Sequence, residues 1–421
     1  METRRFDDEP PRDEHSTQPL FQPNEPVTPP VQPRLAVPPV EPRAPSSVAN
    51  VENSQRPSRG RPSSPAGGSN SAPSRNAAHM PRTLAQVLNE ANDMVVRGDL
   101  SEFMPLPTGF DPLDGMIGGG LRKTELVLLG GAQGIGKTIC ALQMARNIAM
   151  RTDQYAFYLS YEHTETHLMN RLLCLESINP PEVDLNNGVR LKDLHDVIIA
   201  EKAKSTLRGR GEAVSLQTIL RENAKTSMPL ARMNRYSDRL ILVKASPVVT
   251  TLRAIREMTQ RLVQATGGNV TVFIDYLQKI AIHPERASDE GEKVTIIVEG
   301  LKDMALALGV PVMAIVAADR EGLKSNRLHL YHLRGSSALD YECDIAIIMN
   351  NKYHVLSKDE VSFNPYQARQ FREWVVFTIE KNRAGRAMQD MEFHLHAPYF
   401  AFDPRGERVR QQLIDDKLVM D

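Results

Sequence analysis

The octapeptide Gly131-Ala132-Gln133-Gly134-Ile135-Gly136-Lys137-Thr138 carries glycine, lysine and a hydroxyl at the spacing of a phosphate-cradling loop. Glycines let the backbone curl until its N–H groups point at phosphate oxygens. A helix opening directly after the loop adds its partial positive charge. Lys137 then reaches the β- and γ-phosphates, and the Thr138 hydroxyl ligates Mg²⁺, so Gly131 to Thr138 read as an ATP-binding segment. Asp275 ends the apolar run Val270–Ile274. A carboxylate at the tip of a buried strand reads as part of the Mg²⁺ shell. Glu162 follows the apolar run around Tyr155–Leu159. Spacing alone leaves it open whether Glu162 deprotonates an attacking water or is an ordinary exposed strand-end glutamate.

The elements that must position these groups follow from the apolar pattern. Short apolar runs at Glu125–Leu129, Tyr155–Ser160, Leu240–Lys244, Val270–Ile274, Val312–Val316, Ile345–Met349 and Val375–Glu380 are interleaved with stretches of helical spacing. Continuous apolar strands alternating with helices predict an α/β fold: a mostly parallel central sheet flanked by helices on both faces. A polar, helix-prone segment, residues 185–239, interrupts the pattern and contains a Gly209-Arg210-Gly211 break; it reads as a helical insertion. Ahead of the core, Leu84, Val87, Leu88, Ala91 and Val95 give Thr83–Val96 a helical stripe, with Gly98 as its stop. That stripe needs a partner, either its own domain or a neighbouring subunit. More than half of the 29 prolines precede Thr83, and proline at this density opposes both helix and sheet. Residues 1–82 therefore read as a disordered Pro/Ser/Arg-rich tail. Its basic part from Gln55 to Arg82 is either a solvated linker or a weak nucleic-acid tether.

A formal net charge of -1 excludes binding of nucleic acid by bulk charge, so any such contact must come from local basic loops. The three cysteines, Cys140, Cys174 and Cys343, lack metal-ligand spacing and read as reduced thiols of a cytoplasmic protein. No apolar run reaches the roughly eighteen residues needed to span a membrane. The opening METRRFDDEP has no apolar core of a secretory signal.

Taken in order, the motifs resemble one family. Thr108-Gly-Phe-Asp-Pro-Leu-Asp114 with Gly118-Gly-Gly-Leu121 looks like the opening segment of RecA-like ring ATPases. Ser160-Tyr-Glu162, Ile274-Asp275-Tyr276-Leu277-Gln278, and Leu333-Arg334-Gly-Ser336 through Asp340 and Asp344 resemble segments of the DnaB-like replicative helicases. Lys381-Asn382-Arg383 resembles the Lys-x-Arg finger that one subunit inserts into its neighbour's nucleotide site. The resemblance implies a RecA-like ATPase domain over residues 105–404, a linker helix over 83–104 and a C-terminal tail over 405–421. It implies a hexameric ring with ATP at subunit interfaces, in which Glu162 is the catalytic base, Lys137 contacts phosphate, Thr138 and Asp275 hold Mg²⁺, and Lys381 and Arg383 act in trans.

Family geometry would turn two segments toward a central pore: Lys279–Lys293, and Asp319–Arg327, where Arg320, Lys324 and Arg327 suit a phosphate backbone. The chain departs from the pattern in three ways. Ala317 stands where a γ-phosphate-sensing Gln is expected, residues 185–239 are longer than the usual connection, and a helical N-terminal collar is not expected. The reading is a ring-forming, ATP-hydrolysing helicase or translocase on single-stranded DNA in replication, with possible loader proteins as partners. The alternatives are a RecA/KaiC-like ATPase that assembles on DNA or protein without unwinding, and a nucleotide-binding regulatory protein.

Overall fold

The computed structural model describes residues 81–151, 153–207, 214–282, 287, 289–356 and 365–414. The expectations for nearly all of the tail (1–80), for the Gly209-Arg210-Gly211 break, for residues 283–286 and 288, and for 415–421 lie outside them. The strands are β1 (Leu126–Gly131), β2 (Tyr155–Ser160), β3 (Leu240–Lys244), β4 (Val270–Asp275), β5 (Val312–Ala317), β6 (Ile345–Asn351), β7 (Trp374–Asn382), β8 (Gln389–His396), β9 (Ala401–Phe402) and β10 (Glu407–Arg408). The helices used below are α1 (Leu84–Val96), α2 (Leu113–Met116), α3 (Lys137–Ala149), α4 (Glu165–Ser177), α5 (Leu191–Leu207), α6 (Leu216–Glu222), α7 (Ser227–Met233), α8 (Leu252–Thr266), α9 (Glu290–Leu308) and α10 (Ser336–Glu342).

All ten strands join one sheet in the order β10-β8-β7-β6-β1-β5-β4-β2-β3, with β9 on β8. From β6 to β3 every pairing is parallel, and from β6 outward through β7, β8 and β10 every pairing is antiparallel. The parallel part matches the expectation. The antiparallel part extends well beyond the single strand anticipated at Val375–Glu380.

Side chains alternate across each strand, so the sheet feeds two cores. On one face Val127, Leu129, Tyr158, Phe273 and Met313 pack with Met144, Ala145 and Ile148 of α3. On the other, Leu126, Leu128, Phe157, Val272 and Val312 pack with Ile255 of α8 and Ile297, Leu301 and Met304 of α9. The strand residues Leu126 to Leu129 are fully buried. Each such side chain contributes about 1.5–3 kcal/mol, and this burial holds the loop after β1 rigid at its root. The segment of residues 185–239 forms α5, α6 and α7, and its Val189, Leu194, Leu220 and Leu230 share a small core with Leu173 and Cys174 of α4.

The chain reaches β1 through a tight turn. Asp114 accepts from Thr108 N at 2.9 Å, Thr108 Oγ1 at 2.7 Å and Gly109 N at 2.8 Å. Gly120 has φ 129°, and a Cβ there would sit 2.1 Å from the Leu106 carbonyl oxygen, so the bridge between Leu106 and Leu121 requires glycine. Upstream, Thr83 and Gln86 form a reciprocal cap on α1, which buries none of its residues. Among the described residues no helix is long and apolar enough to cross a membrane, and the three cysteines are free and buried.

Candidate active site

β1 delivers the chain to the phosphate-type loop, and α3 begins at Lys137. Gly134 (φ 79°) and Gly136 (φ 100°) are left-handed, a conformation that glycine adopts without strain. At Gly136 a Cβ would also lie only 3.0 Å from the Phe402 ring, so glycine serves both the loop turn and the packing of β9. A cavity of about 370 Å³ opens beside the loop, lined by Gly131, Gln133, Gly134, Gly136, Lys137 and Thr138. Ala132 and Ile135 line an adjoining space. Thus the whole octapeptide forms the wall between two concavities.

Lys137 Nζ donates to the carbonyls of Gly131 and Ala132, each at 2.8 Å. Burial pulls its ammonium down to about 8, opposed by the charges of Asp275 and Glu162. Asp275, at the end of β4, is 1% exposed. Its Oδ2 accepts from Thr138 Oγ1 at 3.0 Å and from Tyr158 OH at 3.2 Å. Burial and the nearby Glu162 carboxylate push Asp275 up to about 6, restrained by those hydrogen bonds and by Lys137. A buried carboxylate and a hydroxyl 3.0 Å apart are the hard oxygen donors that Mg²⁺ takes. A divalent ion there would also relieve the cost of ionising Asp275. The residues present therefore fit Mg²⁺ with a triphosphate.

β2 pairs with β4 in parallel, with Ser160 opposite Asp275, and this register brings Glu162 to the cavity wall. The Ser160 hydroxyl accepts from the backbone N–H of Glu162 at 3.3 Å and of His163 at 3.0 Å, fixing the turn that presents the carboxylate. Thr164 then caps α4, its side chain accepting from His167 N at 3.2 Å.

Two titratable wall residues were not anticipated. Arg171 on α4 and His163 just before it both line the cavity. The available signal was spacing: His167 and Arg171 stand four apart on one face of α4, and His163 lies four positions before His167, just ahead of the helix. Ala317, at the end of β5, also lines the cavity. Its backbone N–H donates to Gln278 Oε1 at 3.2 Å, and Gln278 Nε2 donates to Arg334 O at 3.4 Å. One amide so ties the turn after Asp275 to β5 and to the segment before α10.

The remaining sequence candidates lie apart. β7 runs antiparallel to β6, with Lys381 opposite Ala346, and β6 is parallel to β1, with Ile345 opposite Val127. Lys381 and Arg383 therefore stand at the start of β1, while the loop stands at its end. Six residues at about 3.3 Å each separate the two by roughly 20 Å. There Lys381 Nζ donates to the carbonyls of Asp340 and Tyr341, and Arg383 pairs with Asp344 at 3.3 Å and donates to Tyr341 O. The Arg383 side chain remains 50% exposed. Arg320 and Lys324 are exposed. Arg327 is a correction: it is buried, and its guanidinium bonds Asp390 at 2.7 Å, Thr378 Oγ1 at 3.2 Å and Ile414 O at 3.2 Å. Its charge is paired with Asp390 inside the antiparallel part of the sheet.

Residues 105–403 match the family model described as DnaB-like helicase C terminal domain. The chain is 26% identical over 262 residues to the replicative DNA helicase DnaC of Bacillus subtilis (strain 168), covering 61% of this chain and 49% of that protein. It is 27% identical over 266 residues to the replicative DNA helicase DnaB of Geobacillus stearothermophilus, covering 62% and 50%. The chain spans about half the length of the curated relatives it matches. Among solved structures, one described as an ATPase domain superposes with a TM-score of 0.56 at 19% identity, covering 77% of this chain and 99% of that one. A DnaB-like replicative helicase solved for its interactions with primase superposes with a TM-score of 0.53 at 20% identity, covering 77% and 67%. At these identities the structural likeness speaks for the fold.

Proposed function

Because the chain belongs to the DnaB-like helicase C-terminal domain family, we propose that it hydrolyses ATP between the subunits of a hexameric ring and moves along single-stranded DNA as a replicative helicase. The observation that carries this reading is the division of the machinery. Lys137, Thr138, Asp275 and Glu162 converge on one cavity, while Lys381 and Arg383 lie at the opposite end of the sheet, half-exposed and beyond reach of it. Such half-sites are complete only when copies meet head to tail.

Within one cavity the loop N–H groups and Lys137 bind the β- and γ-phosphates. Thr138 and Asp275 would hold Mg²⁺, which neutralises charge on the phosphates. The Glu162 carboxylate orients the attacking water and takes its proton. Arg171 supplies a cation from the same chain, and Arg383 of the adjoining copy a second from across the interface. A cation of that kind is worth about 10³–10⁵-fold in turnover. The unburied apolar stripe of α1, with Leu84 84% and Leu88 66% exposed, supports docking of this helix on the next subunit. Arg320 and Lys324 supply contacts to the DNA backbone, and a loader is a further partner on the family pattern.

A second reading, an ATPase that assembles on DNA or protein without unwinding, draws on Ala317: an apolar residue lines the cavity where a polar γ-phosphate sensor is expected. Steady-state ATPase with and without single-stranded DNA, together with strand displacement on a forked duplex, separates the two. DNA-stimulated turnover with displacement supports the helicase, and both are expected to vanish in Lys137→Ala. Stimulated turnover without displacement favours the second reading.

A further inference from the structure

Arg171 has its direction set by a group that can change charge. Its Nε donates to His167 Nε2 at 3.0 Å, and its guanidinium carbon lies 4.9 Å from the centroid of the Phe400 ring. A ring nitrogen that accepts from arginine carries no proton, so His167 is the neutral tautomer with hydrogen on Nδ1. The His163 ring stacks on His167 with centroids 4.9 Å apart and planes at 27°. His163 also lines the cavity. One aromatic ring and one acceptor, the acceptor itself braced by His163, thus restrict a side chain that otherwise has several rotatable bonds.

The surroundings disfavour extra positive charge. Burial and then Arg171 lower both imidazoles, His163 to about 4, with His167 adding to the shift of His163 and His195 to that of His167. From α5, His195 Nε2 lies 3.3 Å from the amide nitrogen of Asn170. The groups that face Arg171 from other elements are Tyr158 of β2, Asp275 of β4 and Glu162. A proton on His167 would remove the acceptor for Arg171 and set two cations side by side.

We propose that His167, braced by His163, is a positioning residue that aims Arg171 at the phosphates of bound ATP, and that only its neutral form does so. This rests on the cavity being the ATP site. The sign follows: turnover is held above the His167 pKa, which lies below 6.5, and falls as pH drops through it.

The test is steady-state ATPase of the full chain from pH 5.5 to 8.5, with saturating Mg²⁺ and single-stranded DNA. Wild type, His167→Gln, His167→Phe, Arg171→Ala and the double variant His167→Phe/Arg171→Ala are compared, with circular dichroism reporting folding over the same range. Glutamine keeps an acceptor oxygen but does not titrate. Its acid limb is expected to move at least half a pH unit lower, with the alkaline plateau within about threefold of wild type. At pH 8, His167→Phe and Arg171→Ala are each expected to lose about tenfold or more, and the double variant no more than Arg171→Ala alone. Superimposable pH profiles for wild type and His167→Gln, or additive losses in the double variant, overturn the proposal. If Lys137→Ala hydrolyses ATP like wild type, the ATP reading itself fails; if Lys137→Ala is dead and the profiles superimpose, only the role of His167 fails.

Discussion

Lys324 and Arg327 are three residues apart in one segment, and they use their charge differently. Lys324 is exposed, whereas Arg327 is spent on Asp390, Thr378 and a main-chain carbonyl. Lys324→Ala is expected to weaken single-stranded DNA binding about equally for all sequences. It should also flatten the slope of log affinity against log salt by about 0.7, the share of one phosphate contact. Its melting temperature should not move. Arg327→Ala is expected to cost about 1.5–3 kcal/mol of stability, because it removes the buried guanidinium's charged bond to an Asp390 that keeps Thr378 and partial solvent access, and to leave the salt slope alone. Fluorescence anisotropy across a KCl series, with thermal melts, reads both. An unchanged slope in Lys324→Ala would remove that residue from the DNA path. Nothing in the sequence separated the two residues, since the partner of Arg327 lies 63 positions downstream. Lys137, Thr138 and Asp275 stood out as candidates because strand ends and loop spacing are local, whereas spacing alone left Glu162 open and the family resemblance singled it out. Arg171 did not stand out, because an arginine on a helix is ordinary until the fold shows what it faces.

Elements succeed or fail at this site by how they are joined. α3 carries Lys137 and Thr138 at its start, and α4 carries Arg171. A buried network joins the two: Arg146 of α3 bonds Glu176 of α4 through Nε at 2.7 Å and Nη2 at 2.8 Å, and Tyr236 OH donates to the same carboxylate at 2.8 Å. Glu176 is fully buried and Arg146 nearly so. Glu176→Ala leaves the guanidinium buried without its counter-charge and is expected to cost about 3–5 kcal/mol. Urea unfolding of the nucleotide-free protein measures it, and a loss under about 1 kcal/mol would show that the helices are held by apolar packing alone. The parallel strands were legible because burial on both faces makes their sequences continuous apolar runs. β8, with the sequence QDMEFHLH, buries only its middle and lies among polar edge residues. Its apolar content was too sparse to distinguish it from a loop, and the antiparallel part of the sheet went largely unread for that reason.

At the scale of the molecule, the two residue groups that the proposed function joins in one catalytic centre cannot meet within a single chain. Arg383 rests on Asp344 and on the Tyr341 carbonyl, with half its side chain exposed. The register of β7 on β6 and of β6 on β1 fixes it at the far end from Lys137. The motifs named both groups of residues as candidates, but only strand order and direction reveal that the two groups stand apart. A head-to-tail arrangement of copies makes a specific demand on mixtures. Arg383→Ala retains Glu162 and lacks the finger, while Glu162→Gln retains the finger and lacks the base. Each assembled alone is expected to fall by at least about 10²-fold, the lower end of the scale for losing a proton acceptor or a transition-state cation. Mixed in equal amounts and exchanged, random neighbours restore about one interface in four, since each interface draws one half-site from each copy. Turnover of the mixture should therefore rise far above either parent, toward about a quarter of wild type if interfaces fire independently. A mixture no more active than its parents, with co-assembly verified by mass photometry, would mean either that Arg383 does not act across the interface or that one dead interface stalls the ring. Titrating Glu162→Gln into wild type separates these: a linear fall in turnover indicates independent interfaces, and a steeper fall indicates a ring whose sites must fire in turn.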